Sequence, residues 1–509
     1  MRFTTRVSGV PGVPGVPGVP GVPRPSGLLG LSGPSTLALL AAITLAPATA
    51  SAGGFTTTLF GGEHGQAATD DPTAIFYNPA GLAYGHGTRG MIEGLFAYRT
   101  VDYDRDPGDI DDPNATADDK AANSGKASLG NFLVSPFLGI ASDLGVDGLG
   151  VGIGVYAPFG GQASWDKSTA YAGNTTYPGA VDGPARWSSI EGEQRSIYFS
   201  AGAAWRTKDS RFGVGAAFNV ISSALSLVRA RNLDGTDNLF NSQGGLEEGR
   251  SLLDLTDLTY SASAGVMFKP TKCSRIGLSY QAQPNFGEMT LDGTLTNKFG
   301  ATARFDVPVE MRQQLPDSVR LGGMWRAAHH LTLDASAEYQ RWSLFKDQCL
   351  VQTNAGAAKC AFLPWAGAGD APVGYRGALD TANGGANVLV NVPRDWKDTY
   401  TFQVGGMFDA SDKLELDGGV KFDSNAAPDE TLEPALIDAN KIIAQLGTHY
   451  QLSKNLMLSG TLGYVAYFSR TTSPRPTEAD PPTPNRNPDM AGTFKSGVGF
   501  ALVGIGVQL

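Results

Sequence analysis

Apolar and polar residues alternate along many segments of this chain after residue 88. Residues 331–339 read LTLDASAEY and residues 212–220 read FGVGAAFNV, so that every second residue is apolar. Side chains of a β-strand point alternately to its two faces, so this pattern predicts strands with one apolar and one polar face. The regular segments often reach about 10 residues, whereas globular strands have ~5–6 residues and membrane-spanning strands need ~9–11.

About fourteen segments follow this pattern, and the connections between them differ in length in a regular way. The predicted strand cores are 88–101, 128–141, 148–159, 193–206, 211–228, 256–268, 275–295, 303–326, 331–345, 399–408, 413–423, 440–450, 455–469 and 494–508. Short connections (142–147, 207–210, 269–274, 327–330, 409–412, 451–454) alternate with long ones near 102–127, 160–192, 229–255, 346–398, 424–439 and 470–493, and only 296–302 departs from this order. Outer-membrane barrels have short turns at one end and long loops at the other. The pattern therefore predicts an all-β fold, a transmembrane antiparallel β-barrel of about 14 strands whose N- and C-termini both lie on the periplasmic side.

Aromatic residues lie near many predicted strand ends, where a membrane barrel carries its interfacial girdles. The residues concerned are Tyr98, Tyr103, Tyr156, Trp187, Tyr260, Trp342, Trp396, Tyr400, Tyr464 and Tyr467. Ordinary strand propensity is the alternative explanation for each of them.

The composition agrees with a barrel and excludes several other classes of protein. Of 509 residues, 66 are glycine and 31 are proline, and only 17% are charged, against about 25% in a typical soluble domain. The net charge of −10 argues against nucleic acid as a partner, because phosphates require a basic surface. Three cysteines in a chain of this length exclude a disulfide-based scaffold.

Residues 1–52 have the features of a secretory signal peptide. Arg2 and Arg6 precede an apolar segment, 37–46, which is followed by the small residues Ala50-Ser51-Ala52. This order predicts cleavage after Ala52 rather than a membrane anchor, because Gly and Pro interrupt the apolar run. Residues 9–23 repeat Gly-Val-Pro and are expected to stay extended or disordered, and the true start could lie after them.

The segment 53–87 precedes the first predicted strand and does not alternate. Its residues 67–82 read AATDDPTAIFYNPAGL and strongly resemble the N-terminal hatch of the FadL/TodX family, outer-membrane channels for long-chain fatty acids and other hydrophobic compounds. Asn78, Pro79 and Ala80 match the Asn-Pro-Ala motif of that family. Further similarity lies in 155–160, 315–345 and 393–423.

The resemblance implies that residues 53–87 form a hatch, or plug, in the lumen of a barrel made by 88–509. It also implies passive uptake, in which a fatty acid or hydrocarbon is captured outside, passes the hatch and leaves sideways into the membrane where a strand is kinked. Such an exit keeps apolar surface out of water, which is worth about 0.8 kcal/mol per CH₂ group. The expected partners are the hydrophobic ligand and outer-membrane lipid. The expected protein is a monomer in the cell outer membrane of a Gram-negative bacterium, with no enzymatic activity and no cofactor.

Two other functions remain as alternatives, a diffusion porin for polar solutes and an outer-membrane enzyme that acts on lipids. The sequence predicts no catalytic and no metal site. The glycine-rich segment 148–154 lacks the spacing of a dinucleotide loop. A zinc site at His329-His330 and a Ca²⁺ site in the acidic loop 102–119 are less favoured than a surface turn and a solvated loop.

Two groups of residues carry specific expectations. Asn78, Pro79, Ala80 and Gly81 are expected to form a rigid turn that gates transport, because proline fixes its own φ and restricts the residue before it. The alternative is that these four residues only close a turn that leads into the first strand. Cys349 and Cys360 share a long loop on the oxidising side and are expected to form a disulfide, whereas Cys273 is expected to remain a free thiol. The residues that bind the ligand are not predictable from the sequence.

Overall fold

The computed structural model describes residues 59–473 and 487–509, except residues 111, 113, 234, 301, 355, 357, 366 and 368. The predicted signal peptide, 1–52, and the beginning of the predicted hatch, 53–58, lie outside the described residues. Within the described part of the chain, no helix combines the length and the apolar character that crossing a membrane requires.

The described residues form one antiparallel sheet of nineteen strands that closes on itself. The strands are β1 (Thr88–Arg105), β2 (Gly125–Ser142), β3 (Leu149–Ser164), β4 (Glu191–Arg206), β5 (Phe212–Arg231), β6 (Gly249–Thr271), β7 (Ser274–Gln281), β8 (Met289–Lys298), β9 (Phe305–Gln313), β10 (Ser318–Ala328), β11 (Leu331–Gln340), β12 (Asp347–Gln352), β13 (Val388–Pro393), β14 (Thr399–Ser411), β15 (Leu414–Asp423), β16 (Lys441–Ser453), β17 (Leu456–Tyr467), β18 (Arg470–Thr471) and β19 (Gly492–Gln508). Two short α-helices, Ala74–Tyr77 and Ala117–Asn123, accompany the sheet. The 3₁₀ helices are Gly62–His64, Pro79–Tyr84, Pro107–Asp109, Thr169–Tyr171, Pro178–Asp182, Pro184–Trp187, Pro284–Phe286, Trp342–Leu344, Thr381–Asn383, Gly385–Asn387 and Asp429–Thr431.

The nineteen strands occupy fourteen positions around the barrel, which confirms the predicted architecture. Four consecutive positions consist of two segments each, namely β7 with β8, β9 with β10, β11 with β12, and β13 with β14. The short β18 continues β17 along β19. The barrel closes where β1 pairs with β19, from Arg89 opposite Gln508 to Arg105 opposite Gly492.

The connections sort into two ends, as the sequence predicts. The turn end carries the short connections 143–148, 207–211, 272–273, 329–330, 412–413 and 454–455, together with Thr88 and Gln508. The opposite end, the loop end, carries the longer connections. The predicted loop 346–398 needs a correction, because β12 and β13 form a hairpin inside it that extends the wall.

The strands carry apolar side chains on the outer face and polar side chains on the inner face, the reverse of a water-soluble protein. On β14, Val404 is 62% exposed on the outside, whereas its neighbour Gln403 is 9% exposed in the lumen. Leu333 and Asp334 of β11 show the same arrangement. An apolar outer face with polar residues inside is the arrangement that a hydrocarbon environment requires.

Only part of the predicted aromatic girdle is on the outer surface. Tyr98, Tyr260, Tyr400 and Tyr464 are exposed and Tyr467 is partly exposed. The other five, Tyr103, Tyr156, Trp187, Trp342 and Trp396, are buried inside the molecule, and that prediction was wrong for them. Strand alternation places Tyr103 and Tyr156 on the inner face, whereas the three tryptophans lie in connections that fold inward. Trp342 and Trp396 pack against each other there, with ring centroids 4.9 Å apart.

Candidate functional site

Residues 59–87, called the plug below, fill the lumen between the two ends of the barrel. Their short helices, Gly62–His64, Ala74–Tyr77 and Pro79–Tyr84, are too brief to form a core of their own, so their apolar side chains pack on the wall. The ring of Phe60 lies 5.3 Å from that of Phe137, and the ring of Phe76 lies 5.2 Å from that of Tyr156. Burial raises the pKa of Tyr77, which donates a hydrogen bond to the carbonyl of Phe60 at 2.9 Å.

Glycine residues of the wall make room for the plug. A β-carbon at position 215 would lie 2.5 Å from the backbone nitrogen of Ala80, so only glycine fits there. Plug atoms also occupy the space that a β-carbon would take at six further wall glycines, Gly150, Gly265, Gly277, Gly322, Gly405 and Gly419. The glycine-rich segment 148–154 therefore serves packing, as Gly150 and Gly152 both face Leu82.

The structure brings the four singled-out residues together in one turn of the plug. Asn78 has extended backbone angles and its Oδ1 accepts a hydrogen bond from the Ala80 nitrogen at 3.2 Å, which caps the helix Pro79–Tyr84. Its Nδ2 donates to the carbonyl of Ala67 at 2.7 Å and to the carbonyl of Val266 at 3.1 Å. One fully buried side chain therefore joins two parts of the plug to strand β6.

Other polar contacts of the plug involve residues that the sequence analysis did not single out. The buried carboxylate of Glu63 accepts hydrogen bonds from Gln403 at 2.9 Å and from Gln445 at 2.8 Å. Gln66 donates to Asp334 at 3.3 Å, and the Gly61 nitrogen donates to Glu93 at 2.9 Å. The only indication in the sequence was the series of polar residues predicted for the inner face of the strands. The plug residues that contact them could not be identified, because most lie hundreds of residues away in sequence.

A cavity of about 130 Å³ lies on the loop-end side of the plug. Its apolar walls include Leu225, Leu253, Leu295, Met311, Val390 and Trp396. Four arginines also line it, Arg99, Arg229, Arg231 and Arg394, together with the carboxylates of Glu193 and Glu433.

The arginines of the cavity differ in how they are paired. Arg394 lies 2.7 Å from Glu433, and Arg231 donates to the carbonyl of Leu389 at 3.2 Å. Arg99 is only 8% exposed, and within the described residues it forms no hydrogen bond or ion pair. A buried guanidinium has donors that need acceptors, so Arg99 is suited to an anionic group inside the cavity.

The ladder between two strands of the barrel wall is interrupted beside this cavity. Strand β2 pairs with β3 only from Phe137 opposite Tyr156 to Ser142 opposite Val151, although both strands continue towards the loop end. Strand β3 has a bulge against β4 between Tyr156 and Phe159, which contains Pro158, a residue without an N–H donor. Gly160 and Gly161, which follow the bulge, line the cavity. The cavity therefore reaches the wall where the ladder between β2 and β3 is interrupted.

Loops at the loop end cover the cavity. Arg186 is fully buried among them and donates to Glu248 at 3.0 Å, to Asn123 at 2.6 Å and to the carbonyl of Ala122 at 3.0 Å. Arg250 lies 2.7 Å from Glu248 and 2.5 Å from Asp182. Burial opposes ionisation of both carboxyls. Arg186 and Arg250 nevertheless hold the pKa of Glu248 below the usual range, and Lys167, 2.5 Å from Asp182, together with Arg250 does the same for Asp182.

The acidic loop and the cysteines are also placed by the structure. Asp106, Asp112 and Asp119 accept hydrogen bonds from backbone of their own loop, with Asp119 in a capping box with Thr116. Cys349 and Cys360 are joined by a disulfide, with their Cα atoms 6.0 Å apart, and Cys273 is an exposed free thiol in the turn between β6 and β7.

The sequence predicts no metal site, but the described residues contain one group of possible metal ligands, away from His329 and His330. His329 and His330 lie 3.2 Å apart in an exposed turn without a third ligand among the described residues. The arrangement of His64, Glu415 and His449 does bring three such groups together. These residues are far apart in sequence, so no motif could have indicated the cluster.

Comparisons with known proteins agree with this geometry. The sequence profile of the outer membrane protein transport family (OMPP1/FadL/TodX) matches residues 34–485. A protein of Neisseria meningitidis serogroup B that is described as an outer membrane protein is 21% identical over 411 residues, which cover 78% of this chain and 80% of the relative.

Solved structures of this family share the fold. A FadL homologue of Pseudomonas aeruginosa has a TM-score of 0.68 and 17% identity, covering 90% of this chain and 100% of the homologue. The toluene transporter TbuX of Ralstonia pickettii has a TM-score of 0.55 and 16% identity, and the toluene transporter TodX of Pseudomonas putida has a TM-score of 0.56 and 14% identity. In both cases the match covers 86% of this chain and 94% of the transporter. With the family profile matching most of its length, this plugged fourteen-strand barrel belongs to the OMPP1/FadL/TodX family of outer membrane transport proteins.

Proposed function

We propose that this protein takes up hydrophobic compounds that carry an anionic group, such as long-chain fatty acids, and releases them sideways into the outer membrane. The observation that carries the proposal is the position of the cavity, which has apolar walls and borders the part of β3 that is not paired with β2. This interruption of the ladder is the proposed exit and is called the gap below. A ligand in this cavity can leave through the gap into hydrocarbon, without passing through water. Each CH₂ group that stays out of water saves about 0.8 kcal/mol.

The arginines favour an acid over a neutral hydrocarbon. Related structures are described as toluene transporters, and toluene has no group that would pair with a guanidinium. The cavity has four arginines against two carboxylates, and Arg99 has no partner among the described residues. A charge-assisted hydrogen bond contributes about 1.5–3 kcal/mol, so an acid gains where a hydrocarbon does not.

The proposed route starts at the loop end, which faces outside, and uses no energy source. Residues 1–52 are proposed to direct export and to be removed, which N-terminal sequencing of the membrane-inserted protein would test. A diffusion porin for polar solutes is less favoured, because the plug packs against both the β3–β7 and the β14–β16 sides of the wall.

Binding experiments with Arg99→Met test the choice of ligand. The purified barrel is titrated with a fluorescent long-chain fatty acid, with its methyl ester and with toluene. We expect the variant to bind the acid about 10-fold or more weakly and to bind the ester unchanged, because only the acid uses the guanidinium. Arg211→Met, at an exposed position in the turn between β4 and β5, is the matched control. Equal losses for acid and ester would make Arg99 a structural residue, and rapid sugar permeation into liposomes would favour a porin.

A further inference from the structure

Imidazole and carboxylate groups meet where the plug contacts the wall near the turn end. His64 ends the 3₁₀ helix Gly62–His64 of the plug, whereas Glu415 of β15 and His449 of β16 are opposite each other in the ladder. His64 Nε2 lies 2.6 Å from Glu415 Oε1, and His449 Nδ1 lies 3.3 Å from the same oxygen. One ligand atom from each of the three residues lies within 4.8 Å of the others.

This spacing suits a small transition-metal ion. Zinc binds nitrogen and oxygen ligands at ~2.0–2.2 Å with tetrahedral geometry, which places neighbouring ligand atoms about 3.3 Å apart. The distance of 3.3 Å between His449 and Glu415 matches that value, whereas the 2.6 Å between His64 and Glu415 is a hydrogen-bond distance that would lengthen by about 0.7 Å around an ion. Two histidines and one carboxylate form a known zinc ligand set that leaves one position for water. Imidazole ligands favour such a metal over Mg²⁺ or Ca²⁺, which prefer oxygen alone.

A second observation points to a cation at this place. The side chain of Asp417 is fully buried, and neither of its carboxylate oxygens receives a hydrogen bond from the described residues. Its Oδ2 lies 3.3 Å from His449 Nδ1, the nitrogen that also faces Glu415. A buried carboxylate without donors is costly, so this group requires positive charge beside it.

Apart from the two histidines, which can pair with these carboxylates when protonated, the neighbouring cations are used elsewhere. Arg320 pairs with Glu338 at 2.9 Å, and Lys421 lies 3.9 Å from Asp423. Glu63, next to His64 in the plug, accepts hydrogen bonds from the neutral amides of Gln403 and Gln445 and forms no ion pair within the described residues. With neutral histidines, the state in which imidazole binds a metal, the carboxylates of the junction have no cationic partner of their own, and a divalent ion would supply the missing positive charge.

We propose that His64, Glu415 and His449 bind a divalent transition-metal ion, with Zn²⁺ as the best fit, and that the ion joins the plug to strands β15 and β16. Asp417 supplies additional negative charge beside His449. The side chains of His64 and Glu415 are 25% and 23% exposed, so an ion can enter from the lumen at the turn end. The site does not depend on which compound is transported, so its test is separate from that of the proposed function.

Metal titration of the metal-free, detergent-solubilised protein tests the proposal. Zn²⁺ binding is followed by calorimetry, and Co²⁺ binding by the visible absorption of a tetrahedral ion. We expect one ion per chain. Removing one ligand with His64→Gln should weaken Zn²⁺ binding on the order of 100-fold. Loss of a residue that only orients a ligand already costs about 10–100-fold in metal affinity. The double variant His329→Gln/His330→Gln, which removes an exposed histidine pair, should bind like the unmodified protein.

His64→Gln is preferred to a change at His449 because His64 lies on the plug, outside the strand ladder. Heat-modifiable migration on a gel shows whether the variant barrel is folded. Zn²⁺ should raise the temperature at which the unmodified barrel unfolds and leave that of His64→Gln unchanged. Absence of a bound ion in the unmodified protein, undiminished binding by His64→Gln, or loss of binding only in the His329/His330 variant would each overturn the proposal.

Discussion

Asn78 of the plug lies directly against Gly265 of strand β6, where a β-carbon would collide with Asn78 Oδ1. The replacement Gly265→Ala should therefore displace the plug and leave the barrel closed, because the added methyl group enters a filled space. Overpacking of this kind costs about 1–3 kcal/mol. Single-channel conductance in planar bilayers should show larger or more frequent openings than for the unmodified protein.

Gly90→Ala is the matched control for this experiment. Gly90 is also a strand glycine, but a β-carbon there would have no atom within 4 Å. Its conductance should equal that of the unmodified barrel. If Gly265→Ala behaves like Gly90→Ala, the plug does not depend on contact at Gly265.

Asn78→Ala tests the gating role of the turn. The change leaves the carbonyls of Ala67 and Val266 without the Asn78 donor and removes the cap at Ala80. Each unsatisfied buried group costs about 1–3 kcal/mol, so the plug should shift more easily while the barrel still inserts. Uptake of a labelled fatty acid by cells should change at equal barrel abundance. Unchanged uptake would mean that Asn78 to Gly81 only close a turn.

Removal of Pro158 tests the exit through the wall. Two residues, Ala157 and Pro158, stand opposite one residue of β4, so deleting Pro158 should restore a regular ladder and narrow the gap beside β2. Ligand binding in the cavity should persist and uptake should fall. Deletion of Ala327, at the bulge between Arg326 and Ala328 near the turn end, is the control and should leave uptake intact. Equal uptake in both deletions would place the exit elsewhere.

Acidification should loosen the loops over the cavity. Despite burial, Arg186 and Arg250 hold the pKa of Glu248 below its ordinary value, and Lys167 and Arg250 do the same for Asp182. A depressed pKa in the folded state stabilises it above the ordinary carboxyl pKa of about 4, and this contribution is lost as the pH falls through the folded value. Amide exchange, corrected for intrinsic rates, should therefore rise in 165–190 and 232–248 at pH 3 but not in β16. Equal protection at pH 3 and pH 7 would contradict the role of these pairs.

The disulfide between Cys349 and Cys360 should hold the extended hairpin of β12 and β13. Closing a loop with a sequence separation of 11 residues should stabilise the folded state by about 2–3 kcal/mol. In unreduced, denatured protein a thiol reagent should label Cys273 alone, since it is the free thiol. Labelling of all three cysteines would show that the bond does not form.

The strands were predictable because each has one side towards lipid and one towards the lumen, and this difference produces a local alternation of apolar and polar residues. The alternation at 331–339 predicts β11 and its lipid-facing side from nine residues. Breaks within strands were less visible, because segments such as β7 and β8 keep the same alternation across the helix Pro284–Phe286. The hairpin of β12 and β13 was missed, since its strands of six residues each lie in a segment rich in glycine and alanine.

The site was predictable only where it is local. The motif at Asn78 indicated a rigid turn, and the structure shows that turn. Its partner Gly265 could not be identified, because any wall glycine in a glycine-rich barrel was an equal candidate. The unpaired state of Arg99 and the meeting of His64 with His449 depend on barrel closure, which brings together residues that are remote in sequence.

The hydrogen bonds of the plug have a consequence for the order in which the molecule assembles. Asn78 pairs with a residue 188 positions later, and Glu63 pairs with residues 340 and 382 positions later. Contacts of such sequence separation form only after the cost in chain entropy of closing large loops has been met. The plug is therefore the first described segment to be synthesised and among the last to find its partners. Until strands β1 to β6 have formed the wall on which they pack, the apolar residues of the plug stay exposed.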